Sequence, residues 1–243
     1  MGSFVSYLTP ALIFAQLLLT FCKVRPHELM PSPWHGWLLL FQLVSASLVA
    51  ALLIFVRMDD AYKEVFEGAM VCLICPTATA AAVITGKLGG SASSLTTYTL
   101  LSNILAAVVV PLMFPLVEPH ADITFMAAFL KILSKVFPLL LCPFVLAMLF
   151  RYFLPKLHRF LLGFRDLAFY LWGVALAIVT AQTVKSLVES NAPVGVEVLI
   201  ALAGLATCAV QFYLGKRIGT RYSDRISAGQ ALGQKNTVLA IWM

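Results

Sequence analysis

Long hydrophobic runs separated by short polar stretches repeat along the whole chain. Each run is close to the ~20 apolar residues that an α-helix needs to cross a bilayer. None has the strict alternation of a membrane β-barrel strand, so we predict an all-α, polytopic membrane protein. The eight predicted membrane segments are 3–22, 34–56, 66–86, 92–116, 124–150, 162–187, 194–215 and 226–243.

The loops between these segments lie alternately on two sides of the membrane, one rich in Lys and Arg and the other poor in them. Cytoplasmic loops carry the excess of Lys and Arg, so we predict that the first loop is cytoplasmic and that both ends of the chain lie outside. The poor side collects five basic residues: Arg57, Lys63, Lys131, Lys135 and Lys185. The rich side collects eleven: Lys23, Arg25, Lys87, Arg151, Lys156, Arg159, Arg165, Lys216, Arg217, Arg221 and Arg225.

The fifth segment is unusually long and begins with charged positions. Lys131 and Lys135 are four residues apart and share one helical face. We therefore predict an interfacial amphipathic helix over 125–137 that leads into the span, with both lysines on a solvated face.

Two of the predicted segments are interrupted by polar residues. The first interruption is Cys75-Pro76-Thr77-Ala78-Thr79, where Pro76 removes a backbone donor, and a simple proline kink is the alternative reading. The second is Gly233-Gln234-Lys235-Asn236. The loop count gives these two segments opposite directions, as an inverted repeat requires. Paired interruptions of this kind indicate the substrate site of a secondary transporter.

Lys235 is a charged residue in a segment predicted to lie in hydrocarbon. Such a charge costs about 2.5–3.5 kcal/mol on insertion scales, so it indicates a functional site. Arg225 is ten residues away, roughly 15 Å along a helix, so Lys235 is not a flanking residue. It has two alternative roles: losing and regaining a proton, or acting as a fixed counter-ion for an anionic substrate.

Other polar side chains lie in the predicted spans. Gln42, Ser102 and Asn103 each have two alternative roles: an interhelical hydrogen bond of roughly 1 kcal/mol or less, or a ligand of substrate or cation. Asn103 is the strongest ligand candidate because its large amide is in the middle of a segment. Thr77 and Thr79 have two similar alternative roles. Their hydroxyls can donate hydrogen bonds to the carbonyls freed at Pro76, or they can line a cavity.

The composition supports a membrane protein and excludes several other classes. Of the 243 residues, 61% are hydrophobic and only 12% charged, against about 25% charged in soluble domains. The net charge of +6 fits a positive-inside bias, and no basic stretch indicates nucleic-acid binding. Cys72 and Cys75 have no second cysteine pair or suitably spaced histidine, so we predict no metal site. No serine–histidine–acid set indicates an enzyme.

At these residues the chain resembles the bile acid:sodium symporter family. The motifs that carry the resemblance are Cys75-Pro76-Thr77-Ala78-Thr79, Gly89-Gly90, Gln42 and Gly233-x-x-Asn236. The resemblance implies a core and a panel built from inverted five-helix repeats, in which two broken helices cross at the substrate site. It also implies that the chain corresponds to the second through ninth helices, without the first and the last.

The resemblance further implies a division of one membrane domain, residues 1–243. Segments 3–22, 124–150 and 162–187 correspond to the panel. The remaining five correspond to the core: 34–56, 66–86, 92–116, 194–215 and 226–243. The implied location is a cell membrane, by comparison with bacterial relatives the inner membrane.

The sodium ligands that the resemblance implies are mostly replaced in this chain. Where the family pattern has a Ser-Asn pair, this chain has Ala81 and Ala82. Where the family has a glutamate it has Ala231 or Gln230, and where the family has a glutamine it has Lys235. An ammonium is incompatible with an ordinary sodium site, so we hypothesise that Lys235 replaces bound sodium between the broken helices. The predicted substrate and ion ligands are Gln42, Pro76, Thr77, Thr79, Ser102, Asn103, Gln230, Gln234, Lys235 and Asn236.

These features predict a secondary transporter of small organic anions that works by alternating access. Sodium is the coupling ion that the resemblance implies, whereas Lys235, Ala81 and Ala82 favour proton-linked or uncoupled transport. The alternative is a non-transporting membrane sensor or scaffold, or a fragment of a longer transporter. The expected partners are a small organic anion and the lipid bilayer, without nucleic acid; no feature indicates an oligomeric state.

Overall fold

A computed structural model describes residues 2–24, 29–119, 123–164, 166–190 and 192–242, and its secondary structure is helical. The helices are α1 (Gly2–Cys22), α2 (Pro33–Phe55), α3 (Asp60–Ile74), α4 (Ala81–Lys87), α5 (Ala92–Val117), α6 (Phe125–Phe153), α7 (Pro155–Leu162), α8 (Leu167–Glu189), α9 (Val194–Thr220), α10 (Arg225–Gly233) and α11 (Thr237–Trp242).

Among the residues that the structure describes, five helices are long and apolar enough to cross a membrane: α2, α5, α6, α8 and α9. Within α1 the stretch Leu8–Cys22 is apolar but shorter. Predicted segments 66–86 and 226–243 are not single spans, because each consists of two short helices with an extended break between them. The structure is therefore consistent with a polytopic helical membrane protein, whereas the number of eight membrane segments stays a prediction.

Three predicted boundaries differ clearly from the structure. Segment 66–86 begins too late, because α3 starts at Asp60. Segment 162–187 begins too early, because 155–162 forms the separate helix α7 and α8 starts at Leu167. Leu167 follows the N-cap residue Asp166, and Pro155 starts α7 at a first-turn position that tolerates proline. Segment 194–215 ends too early, since α9 continues to Thr220.

The stretch 125–137, predicted as an interfacial helix leading into the span, is the start of one continuous helix, and its position at the membrane surface stays a prediction. Helix α6 runs without a break from Phe125 to Phe153 and keeps Pro138 and Pro143 inside it. Membrane helices tolerate proline because neighbouring groups can satisfy the freed carbonyls. Lys131 and Lys135 are exposed, but they line a cavity against α5.

The helices pack in two sets that α5 and α6 join. Helix α1 packs on α6 and α8, whereas α3 packs on α2 and α9, and α9 packs closely on α10. Helix α5 contacts both α2 and α6. Helix α11 contacts α1 and α8, although its segment was predicted to belong to the core. The division into core and panel stays a prediction.

Glycines allow α9 and α10 to approach each other closely. A Cβ atom at Gly215 would lie 2.5 Å from the Ala228 carbonyl oxygen, and one at Gly219 would lie 2.6 Å from the Asp224 carbonyl oxygen. A Cβ at Gly233 would lie 2.4 Å from the Phe212 ring. Only hydrogen fits at these positions, so the glycines allow α9 and α10 to pack in direct backbone contact.

Candidate functional site

The breaks in the two interrupted segments lie against each other as antiparallel extended backbone. The Ala78 amide donates to the Gln234 carbonyl at 2.8 Å, and the Asn236 amide donates to the Pro76 carbonyl at 2.9 Å. Thr77 and Lys235 are paired across this contact. We call Pro76–Ala78 together with Gln234–Asn236 the crossing. Each break thus satisfies backbone groups that the other leaves without a helical partner.

Pro76 explains why the first break forms where it does. It cannot donate an amide hydrogen bond, and it forces the preceding residue away from helical geometry. Cys75 accordingly has φ −52° and ψ 138°, and α3 ends at Ile74. The Pro76 carbonyl then becomes an acceptor for the second break.

Thr77 is bonded on both sides of the crossing. Its backbone amide donates to Ser102 Oγ of α5 at 3.1 Å, and its hydroxyl donates to the Ala231 carbonyl of α10 at 2.7 Å. Thr77 and Ser102 are buried. These contacts tie the first break to α5 and α10 and occupy polar groups that were predicted as ligands.

Gln42 of α2 caps the end of α3. Its amide nitrogen lies 2.7 Å from the Ile74 carbonyl and 3.2 Å from the Cys75 carbonyl. Its amide oxygen accepts a bond from the Tyr98 hydroxyl at 3.2 Å. Because Gln42 is fully buried and bonded at both ends, its observed contacts are those of an interhelical polar link. Tyr98 was not among the predicted site residues; only its position on the Ser102 helix could have indicated it.

Lys235 points from the second break toward the C-terminal end of α3. Its ammonium donates to the Leu73 carbonyl at 3.3 Å. The last carbonyls of a helix have no intrahelical partner and carry the negative end of the helix dipole. The ammonium of Lys235 therefore lies where the last carbonyl oxygens of α3 would also stabilise a bound cation.

Thr79 leads away from the crossing toward α1. Its hydroxyl donates to Gln16 Oε1 at 2.6 Å, and Gln16 Nε2 donates to the Leu171 carbonyl of α8 at 3.3 Å. Gln16 and Thr79 are both buried. The sequence analysis missed Gln16, although a lone glutamine in an apolar segment is the signal that identified Gln42.

Asn103 is fully buried and Gln230 and Gln234 are partly buried, and the described residues leave buried polar atoms of all three amides unpaired. Asn103 has no partner for either amide atom, and the Oε1 atoms of Gln230 and Gln234 have none. An unpaired buried amide costs free energy, so such groups call for a partner that binds there. Asn103 lies beside Ser102 on α5 and Gln230 is one turn before Gln234, but neither side chain bonds the crossing.

Asn236 behaves as a helix cap. Its side-chain oxygen accepts the Leu239 amide at 3.1 Å, three residues into α11. An asparagine oxygen at this position is a typical N-cap, since it satisfies an amide that the first turn leaves open. The cap fixes the geometry with which the chain leaves the crossing.

The residues around the crossing do not fit the sodium site that the sequence comparison implied. Ala81 and Ala82 are buried and have no side-chain oxygen to offer. Lys235 already brings a positive charge to the α3 carbonyl end. Within the described ranges, no group of three or more His, Cys, Asp or Glu side chains is arranged to hold a metal ion.

Cavities open at both ends of α5. One of about 350 Å³ is lined near the start of the helix by Ala92 and Thr96, with Lys23 and Ala82 opposite. Another of about 310 Å³ is lined near its end by Val110. Ser102, which bonds Thr77, lies between them along the helix.

A family model described as the Sodium Bile acid symporter family matches residues 9–190, which is more than half of the chain. The match includes the first break and stops before the second. No curated protein sequence matches the chain. Together with the five candidate spans, the match identifies a multi-pass membrane protein of a transporter family. The chain belongs to the Sodium Bile acid symporter family.

Proposed function

We propose that the chain is a secondary transporter that moves a small organic anion by alternating access, with Lys235 in the role that bound sodium has in a symporter. The single observation that carries this proposal is the ammonium of Lys235 on the Leu73 carbonyl. A tethered cation at this place stabilises the α3 end without an ion from solution. Uptake should then be independent of sodium, and either proton-linked or uncoupled.

Two features support alternating access. The crossing lies between cavities at opposite ends of α5, as a site that opens to either side in turn requires. The bond from Thr79 to Gln16 also links the first break to α1, which packs with α6 and α8. In the proposed cycle, the helices predicted as core move against those predicted as panel, and this bond is broken and remade.

The charge of Lys235 supports an anionic substrate. The partly unpaired amides of Asn103, Gln230 and Gln234 supply donors and acceptors near the crossing for its polar groups. The proposed inverted repeat, in which segments 66–86 and 226–243 correspond, agrees with the antiparallel pairing of the two breaks.

The test is uptake by the full chain in proteoliposomes, with cholate as the probe. Inward gradients of sodium, potassium and protons are compared, and protein-free liposomes are the control. We expect equal uptake with sodium and potassium; a proton gradient then separates proton-linked from uncoupled transport. A strict sodium requirement would contradict the role of Lys235.

A non-transporting sensor is the second candidate, because Gln42, Thr77 and Ser102 all have their hydrogen bonds within the protein. A crossing held in this way could bind a ligand without moving it. Binding of cholate to the purified chain, without uptake under any of the three gradients, would favour the sensor.

A further inference from the structure

The cavity between the end of α5 and the start of α6 has a mixed wall. Its apolar part includes Val110 and Phe114 of α5 and Ile132 of α6. Its charged part consists of Lys131, Lys135 and Glu118. The volume of about 310 Å³ is within the range of small-molecule sites.

The positive charge in this cavity exceeds the negative charge. Lys131 and Lys135 are one helical turn apart on α6, and among the residues that the structure describes neither forms an ion pair. Glu118, in contrast, is ion-paired with Lys63 of α3, which also lies 3.6 Å from Glu67. The carboxylate of the cavity is thus paired with an ammonium outside it, which Glu118 shares with Glu67, whereas the two ammonium groups of the cavity are left for a ligand.

A second cavity adjoins this one along α3. It measures about 340 Å³ and shares Phe114 and Glu118 with the first. Its wall includes Gly68, Met70 and Val71 of α3 together with the carboxylates of Glu64 and Glu67. These carboxylates disfavour an anion in the second cavity, so we expect the acidic group of a ligand at the lysines of the first.

We propose that Lys131 and Lys135 form a capture site for an amphipathic organic anion, whose acidic group binds the two ammonium groups while its apolar body packs on Phe114 and Ile132. This inference rests on the proposed function, since it adds a first binding step that precedes binding at the crossing. The loop charges put this end of α5 on the outer side, where a transporter that imports would meet its substrate.

The position of the site favours a dissolved anion over a lipid headgroup. Exposed apolar residues, including Leu130 and Phe137, cover the opposite face of α6 and line a separate, almost wholly apolar cavity. That face suits acyl chains. The lysines line the other cavity between α5 and α6, together with Glu118.

The experiment measures equilibrium binding of cholate and of octanesulfonate to the full chain in phosphatidylcholine nanodiscs. The test variant carries both Lys131→Gln and Lys135→Gln. Lys185→Gln is the matched control, because Lys185 is an exposed lysine of α8 on the same predicted side, paired with Glu189. We expect the double variant to bind both probes about fivefold more weakly than wild type, as for two exposed ion pairs, and the control to bind like wild type. The difference should shrink in high salt.

Equal affinity of the double variant and wild type for both probes would overturn the capture site. A wild type that binds neither probe would also overturn it. Loss of co-purifying phosphatidylglycerol from the double variant, with unchanged probe affinity, would assign the lysines to a lipid. Probe binding that depends on the two lysines, without uptake in proteoliposomes, would support the capture site and contradict the transport function. Failure of the capture site can therefore be distinguished from failure of the transport function.

Discussion

The two breaks of the crossing are held in different ways. Neutral groups from three other helices bond around the first: Gln42 to the end of α3, Ser102 to Thr77, and Gln16 to Thr79. The second break has the Asn236 cap within its own chain and a close steric fit of glycines behind it. It also carries the one charge of the crossing, Lys235, to the end of α3.

This difference indicates that the first break mainly stabilises the structure, whereas the second break determines which ions the protein needs. Neutral hydrogen bonds can hold the first break in one geometry without any ion, and their loss should mainly lower stability. The charge on the second break compensates the α3 carbonyl end, and its loss should change which ions the protein needs. Changes at the two breaks should therefore affect different measurements.

The largest loss of stability is expected at the glycine support of the second break. Gly215→Ala places a methyl group against the Ala228 carbonyl, so α9 and α10 must separate. We expect the unfolding free energy to fall by about 1–3 kcal/mol, measured by thermal unfolding in detergent. Gly204→Ala is the matched control on α9, since nothing lies within 4 Å of its added Cβ. Equal stability of both variants would contradict the packing role of Gly215.

Next in size is the polar support of the first break. Gln42→Leu leaves the Ile74 and Cys75 carbonyls and the Tyr98 hydroxyl without their partner. Unsatisfied buried groups cost about 1–3 kcal/mol, so the melting temperature should fall clearly while any uptake stays sodium-independent. Gln182→Leu on α8 is the control, because no side-chain hydrogen bond of Gln182 occurs among the described residues. A Gln42→Leu variant with normal stability but altered ion dependence would make Gln42 a ligand instead.

A smaller effect is expected for the side-chain bond between the breaks. Thr77→Val keeps the side-chain shape but removes the hydroxyl that donates to Ala231. The unfolding free energy should fall by about 1 kcal/mol. Thr180→Val controls for the loss of a threonine hydroxyl, since that hydroxyl donates to the Leu176 carbonyl of its own helix, α8. If both variants lose the same stability, the Thr77 bond has no special role at the crossing.

The smallest effect is expected at the cap of α11. Asn236→Ala removes the acceptor for the Leu239 amide, at a cost of about 0.5–1 kcal/mol, and Asn236→Ser should restore most of it. Thermal unfolding of the two variants measures this. Rescue of both stability and uptake by serine identifies a cap, whereas a requirement for asparagine in uptake alone would identify a ligand.

The sequence was sufficient to predict helical membrane segments and the two breaks, whereas the contact between the breaks was implied by the family resemblance. Pro76 and Lys235 indicated the breaks because proline ends a helix locally and a lysine is costly in lipid. The resemblance rested on residues of both breaks together with Gln42 and Gly89-Gly90, and the family is confirmed over 9–190.

The partners of the breaks were not predictable in the same way. Gln42 was assigned two roles because a mid-span glutamine fits either, and only its distances to Ile74 and Cys75 identify a structural bond. Gln16 was missed because its partner Thr79 is distant in sequence. Lys131 and Lys135 were interpreted as a solvated face, since helical spacing shows that they share a face but not what packs opposite it.

The central claim is that Lys235 serves as the cation of the crossing, and the most direct test compares cholate uptake by wild type and Lys235→Gln with sodium or potassium. Wild type should transport equally with both ions. Lys235→Gln should lose at least about tenfold of its uptake in potassium, because a charge-assisted bond to the α3 end is removed. Uptake by wild type that requires sodium, and that survives Lys235→Gln unchanged, would contradict the claim.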